Sequence, residues 1–325
     1  MEMMKGIHRI KVPLGNNPLG FVNSYLLQTE DGCILIDCGW NTEEAFAALA
    51  AGIAAAGCAF DDIRVLIITH IHPDHIGLAG RLPLQPKTRV ILHEVEWRLL
   101  DNRKLEYERL VQASEEWLRI NGVPKASIPL LQAAWLHMLD LIAALEVNHP
   151  VSSGECISLG DITLEVLGTP GHSMGHICLY DKAHGALFTG DHLLEQITPN
   201  VSMNSQEEGN PLADYRNSLL QVRNLDVELL LPGHGNAFGE LATRVDAILE
   251  HHDQRLAEVL QLCRKHAVSA FEIAQRVKWF RPWSELPLFS QRNAVTEITA
   301  HLEMLFSLGH LRRDSIDGVY RYTAR

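Results

Sequence analysis

The run Thr69-His70-Ile71-His72-Pro73-Asp74-His75-Ile76-Gly77 constrains this chain more than any other feature. It follows Arg64–Thr69, where Val65, Leu66, Ile67 and Ile68 form a buried-strand pattern. Three imidazoles and a carboxylate crowd the end of that strand, and packing gives no reason for them. One sharp loop with histidines two apart and an Asp-His pair can aim at two neighbouring points. A pair of divalent cations of borderline softness requires that arrangement.

Further ligand types stand at the ends of other strand-like runs, each beside a glycine. Thr169-Pro170-Gly171-His172 follows Ile162–Leu167, Phe188-Thr189-Gly190-Asp191 follows Ala186–Leu187, and Leu231-Pro232-Gly233-His234 follows Val227–Leu230. Glycine permits the tight turn and close backbone approach that such a site needs. One occurrence carries little weight, but the set would require a separate accident for each. His8, His93, His137, His149, His251, His252, His266, His301 and His310 lack this setting and read as ordinary polar residues. His93, after Ile91-Leu92, and His192, beside Asp191, are candidates for hydrogen bonding to the ligands from behind. His176 reads as a strand residue.

The chain divides into three textures. From Phe21 to Leu92, strand runs (Val22–Leu27, Cys33–Asp37, Arg64–Thr69, Arg89–Leu92) alternate with a helix that Asn41 or Thr42 can cap. Residues 94–148 switch to helical spacing, marked by Trp97, Leu100, Leu110, Trp117 and Trp135 and broken at Pro124 and Pro129 into at least two helices. From Cys156 the strand texture returns. The expectation is an α/β domain over residues 1–240 with a helical insertion at about 94–148. A C-terminal domain, 241–325, starts with a long helix, Leu241–His266. Helices Ala270–Val277 and Ala294–Leu308 and a hairpin turning at Asp317-Gly318 then give the outline of a winged helix.

Bulk properties exclude several classes. Of 325 residues, 46% are hydrophobic and 21% charged, the balance of a folded globular chain. The net charge of -12 makes the whole chain a poor partner for nucleic acid or an anionic membrane. The N-terminus has no secretory pattern, and Ala45–Phe60 is too short and too alanine-rich to span a bilayer, so no membrane partner is expected. Six scattered cysteines without a CxxC pair read as reduced, mostly core residues of a cytoplasmic protein.

These residues resemble the metallo-β-lactamase superfamily. The HxHxDH signature stands here as His70-Ile71-His72-Pro73-Asp74-His75, followed in order by His172, by Asp191 in FTGD and by His234 in PGHG. The resemblance implies an αβ/βα sandwich: two mixed sheets face to face, helices outside, the site at one edge. It further implies that His70, His72 and His172 bind one metal, that Asp74, His75 and His234 bind a second, and that Asp191 bridges them. A metal-bridging hydroxide is then the nucleophile, since two cations lower the pKa of bound water and polarise the substrate oxygen. Asp74 is the residue expected to serve catalysis, by orienting that nucleophile or carrying a proton to the leaving group. Zn²⁺ suits the ligand set, with iron and manganese as the other candidates.

Departures from particular branches narrow the reading. His72 stands where flavodiiron oxidoreductases carry Glu. The run Asp191-His192-Leu193-Leu194 lacks the tyrosine of quorum-quenching lactonases. Hydroxyacylglutathione hydrolases share the phrases THxHxDH, TPGHSxGH and FTGD, but their glutathione-binding basic and tyrosine residues have no counterpart after Asp191. The expected function is hydrolysis of a small acyl compound: a thioester, lactone or other ester. Rivals are an endoribonuclease with the same site, a mononuclear-iron sulfur dioxygenase, and a regulatory protein with residual activity. A tail like this one resembles that of β-lactamase-like proteins with a C-terminal winged helix, some of which cleave single-stranded RNA. From Arg255 onward the chain has 11 Lys and Arg against 7 Asp and Glu, scattered rather than clustered. Homodimer contact or cover for the site is as good a role for this tail as gripping nucleic acid. The insertion is expected to act as a lid, with some of Trp97, Tyr107, Trp117 and Trp135 lining the substrate pocket.

Overall fold

A computed structural model describes residues 1–105, 107–206 and 209–325. Two sheets stack face to face. The first holds β1 (Glu2–Met4), β2 (Ile7–Pro13), β3 (Phe21–Thr29), β4 (Gly32–Ile36), β5 (Ile63–Ile67), β6 (Arg89–His93) and β7 (His149–Val151) in sequential order. Its pairs are antiparallel up to β4 and parallel from β4 to β7. The second holds β8 (Cys156–Leu159), β9 (Ile162–Gly168), β10 (Ile177–Asp181), β11 (Ala186–Gly190) and β12 (Leu229–Pro232), antiparallel except for the parallel β11–β12 pair.

Both faces of the central strands β4, β10 and β11 are buried, which explains their near-continuous apolar runs. In β4, Ile34 and Ile36 point between the sheets, with Ile67, Leu179 and Phe188, while Cys33 and Leu35 point outward. The outward face packs on α1 (Glu43–Ala55), whose Ala45, Leu49 and Ile53 are buried. Thr42 caps that helix, accepting from Ala45 N at 3.2 Å. In β10 the inward pair is Ile177 and Leu179. Cys178 and Tyr180 face outward into the core shared with α6 (Pro211–Val222) and α7 (Leu241–Cys263). The layering is the αβ/βα sandwich that the sequence leads one to expect.

The insertion comprises α3 (Glu94–Leu105), α4 (Tyr107–Ile120) and α5 (Ile128–Leu139), three helices where at least two were expected. Pro129 sits in the first turn of α5 and opens that helix rather than breaking one. The tail continues with α8 (Ala270–Ala274), α9 (Leu288–Ser307) and the hairpin β13 (Leu311–Ile316) to β14 (Val319–Ala324). Insertion and tail share one core: Trp117, Leu118, Ile128 and Leu131 cluster with Ile273, Val295, Ile298 and Leu302. Asn121 reinforces it, its carbonyl accepting from Phe271 N at 3.1 Å. Trp117 is therefore core, and Trp135 lies 4.7 Å beneath the Arg292 guanidinium; only Trp97 and Tyr107 of the four expected pocket aromatics are exposed.

Among the described residues no helix is long and apolar enough to cross a membrane. All six cysteines are free thiols, but Cys156 is exposed and Cys58 half-buried, so the expectation of mostly core cysteines holds for Cys33, Cys38, Cys178 and Cys263.

Among the buried titratable groups of the tail, Glu297 has a consequence for stability. Glu297 lies 4.0 Å from Arg255 Nε, and burial raises its carboxyl to about 7 against the opposing Arg255 charge. A carboxyl raised only in the folded state makes stability fall as pH climbs from about 4.5 to about 7. Glu297→Gln is expected to gain on the order of 2 kcal/mol over the parent above pH 7 and nothing at pH 4. Denaturant melts at the two pH values check this.

Candidate metal centre

Strand direction brings the candidate ligands to one place. β4 and β5 run parallel in one sheet, β9, β11 and β12 run parallel in the other, and their C-terminal ends share an edge. His70 follows β5, His172 follows β9, Asp191 follows β11 and His234 follows β12. The four-residue helix α2 (Pro73–Ile76), with Pro73 at its start, turns Asp74 and His75 back toward the same point. All seven expected ligands converge there. His70, His72 and His172 form one group, Asp74, His75 and His234 a second, and Asp191 joins His70 and His75 in a third.

The distances within each group are short enough for one cation to be shared. His72 Nδ1 lies 2.9 Å from His70 Nε2 and 2.9 Å from His172 Nε2. In the second group, His234 Nε2 is 3.2 Å from Asp74 Oδ2, and His75 Nε2 is 4.0 Å from it. Asp191 stands between the groups: Oδ1 is 3.4 Å from His75 Nε2, while Oδ2 is 3.5 Å from His234 Nε2 and 3.7 Å from His172 Nε2.

Outer hydrogen bonds decide which nitrogen of each ring faces inward. His172 Nδ1 donates to the Asn200 carbonyl at 2.7 Å, His234 Nδ1 to the Phe21 carbonyl at 2.9 Å, and His75 Nδ1 to Asp37 Oδ2 at 2.7 Å. Thr69 Oγ1 donates to Asp37 Oδ2 and so accepts from His70 Nδ1 at 3.0 Å. In each neutral ring the proton is thus held on the outer nitrogen and a lone pair points at the cluster. Nε2 of His75, Nε2 of His234 and Oδ1 of Asp191 are buried without a hydrogen-bond partner among the described residues. Buried polar atoms are costly in that state, and a cation satisfies all of them at once.

Titration follows the same division. Burial, with the neighbouring imidazoles, holds His70 well below its usual pKa and His72 down to about 3; burial also lowers His172. These rings are neutral and ready to ligate. Burial works against charge on His75 and His234 too, but Asp37, Asp191 and Asp74 raise His75, and Asp191 with Asp74 lifts His234 to about 10. Asp74 is held down at about 2: burial opposes, and His75 and His234 prevail.

Two glycines are required sterically. A Cβ on Gly233 would stand 2.5 Å from Asp191 Oδ1 and 2.7 Å from His75 Cε1. Gly190 has φ 45°, and a Cβ there would meet His176 Nε2 at 2.7 Å.

Supporting residues escaped the sequence reading. Asp37, at the end of β4 with a left-handed φ of 56°, accepts from Thr69 N at 2.8 Å, Thr69 Oγ1 at 2.9 Å and His75 Nδ1. Its setting, a carboxylate directly after a buried strand with Gly39 two residues on, resembles that of Asp191 after Gly190 and was a usable signal. His176 stands just before β10 rather than within a strand, and its Nε2 accepts from Asp191 N at 3.1 Å while its Nδ1 donates to Thr169 Oγ1 at 2.8 Å. It orients the Asp191 backbone. The expected supporters His93 and His192 make no hydrogen bond to a ligand side chain among the described residues; His93 Nδ1 accepts from Val95 N instead. Asp37→Asn keeps the shape and exchanges an acceptor for a donor facing His75 or Thr69. A 10–100-fold loss of metal affinity is expected, read by competition with a chromogenic chelator.

Comparison with known proteins agrees with this geometry. Residues 17–234 match the family described as the metallo-beta-lactamase superfamily. A probable metallo-hydrolase of Bacillus subtilis, YqjP, is 26% identical over 88% of each chain. The Gallus gallus acyl-coenzyme A thioesterase MBLAC2 is 32% identical over 53% of this chain and 57% of its own length. The crystal structure of a metallo-beta-lactamase family protein from Thermus thermophilus superposes with a TM-score of 0.84, at 30% identity over the whole of both chains. This chain belongs to the metallo-beta-lactamase superfamily and is a hydrolase of it.

Proposed function

We propose that the chain hydrolyses small acyl compounds, thioesters first among them, at a centre of two divalent cations. His70, His72 and His172 hold one cation, Asp74, His75 and His234 the other, and Asp191 touches both. The observation that supports this most is the convergence of five imidazoles and two carboxylates, with each outer nitrogen that faces a protein acceptor pinned there. The donor set is nitrogen and oxygen without thiolate, which suits Zn²⁺ and also admits iron or manganese. Such cations supply a Lewis acid and a low-pKa water when bound.

The chain's own residues do the rest. Asp37, Thr69 and the carbonyls of Phe21 and Asn200 keep the imidazoles turned inward. Asp74 is the ligand carboxylate with more solvent contact, its side chain 16% exposed against 11% for Asp191. In this reading the ionised Asp74 orients the attacking water or takes up its proton and passes it to the departing thiol or alcohol. The name of the MBLAC2 relative favours a thioester among acyl substrates.

The ribonuclease reading finds less support. Four arginines of the tail are paired with carboxylates: Arg255 with Glu258, Arg312 with Asp314, Arg313 with Glu303 and Arg321 with Glu272. A phosphate-gripping surface needs such cations free. Free thiols throughout fit the reducing cytoplasm, where we place the chain.

The test is a panel of acyl-coenzyme A thioesters, lactones and simple esters, run on metal-loaded, chelator-stripped and zinc-restored protein. Saturable thioester hydrolysis that vanishes on stripping and returns with zinc is expected. Acyl substrates left untouched by the loaded protein would overturn the reading.

A further inference from the structure

The buried carboxyl of Glu96 has no place in the ligand set, yet it touches both loops that carry the first three imidazoles. Glu96 lies in the first turn of α3 and is fully buried. Its Oε2 accepts from Ile71 N at 3.0 Å, and its Oε1 accepts from Gly175 N at 2.6 Å. Ile71 stands between His70 and His72. Gly175 stands in the loop between His172 and His176. One side chain therefore spans two loops about a hundred residues apart in sequence and satisfies a buried N–H on each.

The fit is close on both sides. A Cβ on Gly175 would meet Glu96 Cγ at 2.7 Å and Glu96 N at 3.0 Å, so the loop lies directly against the clamp. The second group of ligands is held by other means. Asp37 fixes His75, the Phe21 carbonyl fixes His234, and the His75 carbonyl accepts from Cys38 N at 2.9 Å. Nothing in that support passes through Glu96.

We propose that Glu96 is a positioning residue that sets the spacing of His70, His72 and His172, and that its loss weakens that cation site selectively. The insertion then contributes to the centre through its first turn. The inference rests on the two-cation reading above. Glu96→Gln keeps the shape but offers one acceptor oxygen and turns an NH₂ toward the other loop's N–H. Glu96→Asp keeps the acid but is too short to reach both loops.

The experiment is equilibrium dialysis of the full-length chain against buffered free Zn²⁺, with elemental analysis. The visible spectra of Co²⁺-loaded samples follow, beside His72→Ala and His234→Ala as references. In both Glu96 variants one ion is expected to bind as in the parent and the other 10–100-fold more weakly. Their spectra under limiting Co²⁺ should match His72→Ala. Unchanged affinity for both ions, equal weakening of both, or a spectrum matching His234→Ala would overturn the clamp while leaving the parent's two-cation site intact. A parent chain that binds no zinc would overturn the site reading itself, and the clamp with it.

Discussion

Asp191→Ala is expected to hold fewer than two metal ions per chain and to lose hydrolytic activity with them. Asp191 is the only one of the seven ligand candidates whose oxygens face both groups, at 3.4 Å from His75 Nε2, 3.5 Å from His234 Nε2 and 3.7 Å from His172 Nε2. Its removal leaves two imidazole groups around a buried centre with a single remaining carboxylate among the ligands, Asp74. Two cations held by these neighbouring groups would repel each other strongly in a site of low dielectric, and a shared anion would offset that repulsion. Alanine removes that anion without adding bulk, since Gly190 and Gly233 already form the walls around it. Elemental analysis after dialysis reads the result. Two tightly held ions in the variant would show that Asp191 does not bridge.

The second large effect falls on Asp74. Its Oδ2 lies 3.2 Å from His234 Nε2, and His75 and His234 keep its carboxyl at about 2, so it is ionised at neutral pH. Turnover in Asp74→Ala is expected to drop about 10²–10⁴-fold even at saturating metal, the range typical of a lost proton-transfer group. Excess zinc separates the two roles of this residue. Rate recovery with added zinc would make Asp74 a ligand alone, and a persistent loss at full occupancy gives it the proton-handling role as well.

How much of this was legible in the sequence depended on distance along the chain. The candidate ligands could be read because they follow buried strands, four of them packed into one short loop and His172, Asp191 and His234 each directly after a glycine, a local pattern. The layers could be read for the same reason, since strands such as Arg64–Thr69 carry apolar side chains toward both faces. β2 was missed because Arg9 and Lys11 interrupt its apolar alternation, although Arg9 is buried against Met1. The supporting bonds were mostly illegible. Asn23 ties β3 to the His234 loop, donating from Nδ2 to the Pro232 carbonyl at 2.8 Å across 209 residues, and nothing local announces it. Glu96 likewise looks like any acidic residue in the first turn of a helix.

The insertion shows the limit most clearly. Its helical spacing gave the apolar faces of α4 and α5, but a hydrophobic stripe does not name its partner. Those faces pack on α8 and α9 through Trp117, Leu118 and Ile128, so the tail anchors the insertion. The tail also reaches the centre by a chain of hydrogen bonds. Thr296 meets Ser202 Oγ at 2.9 Å, Ser202 accepts from Asn200 Nδ2 at 2.7 Å, and the Asn200 carbonyl holds His172. No local pattern in residues 241–325 announces this tie between α9 and His172.

The central claim is acyl hydrolysis at this centre, and the most direct measurement is a paired turnover assay on zinc-loaded parent and Asp74→Ala. Each is given an acyl-coenzyme A, with thiol release recorded, and a single-stranded RNA, with cleavage recorded. Thiol release by the parent, its near-complete loss in the variant, and intact RNA in both are expected. RNA cleaved by the parent and spared by the variant, with no thiol released, would contradict it.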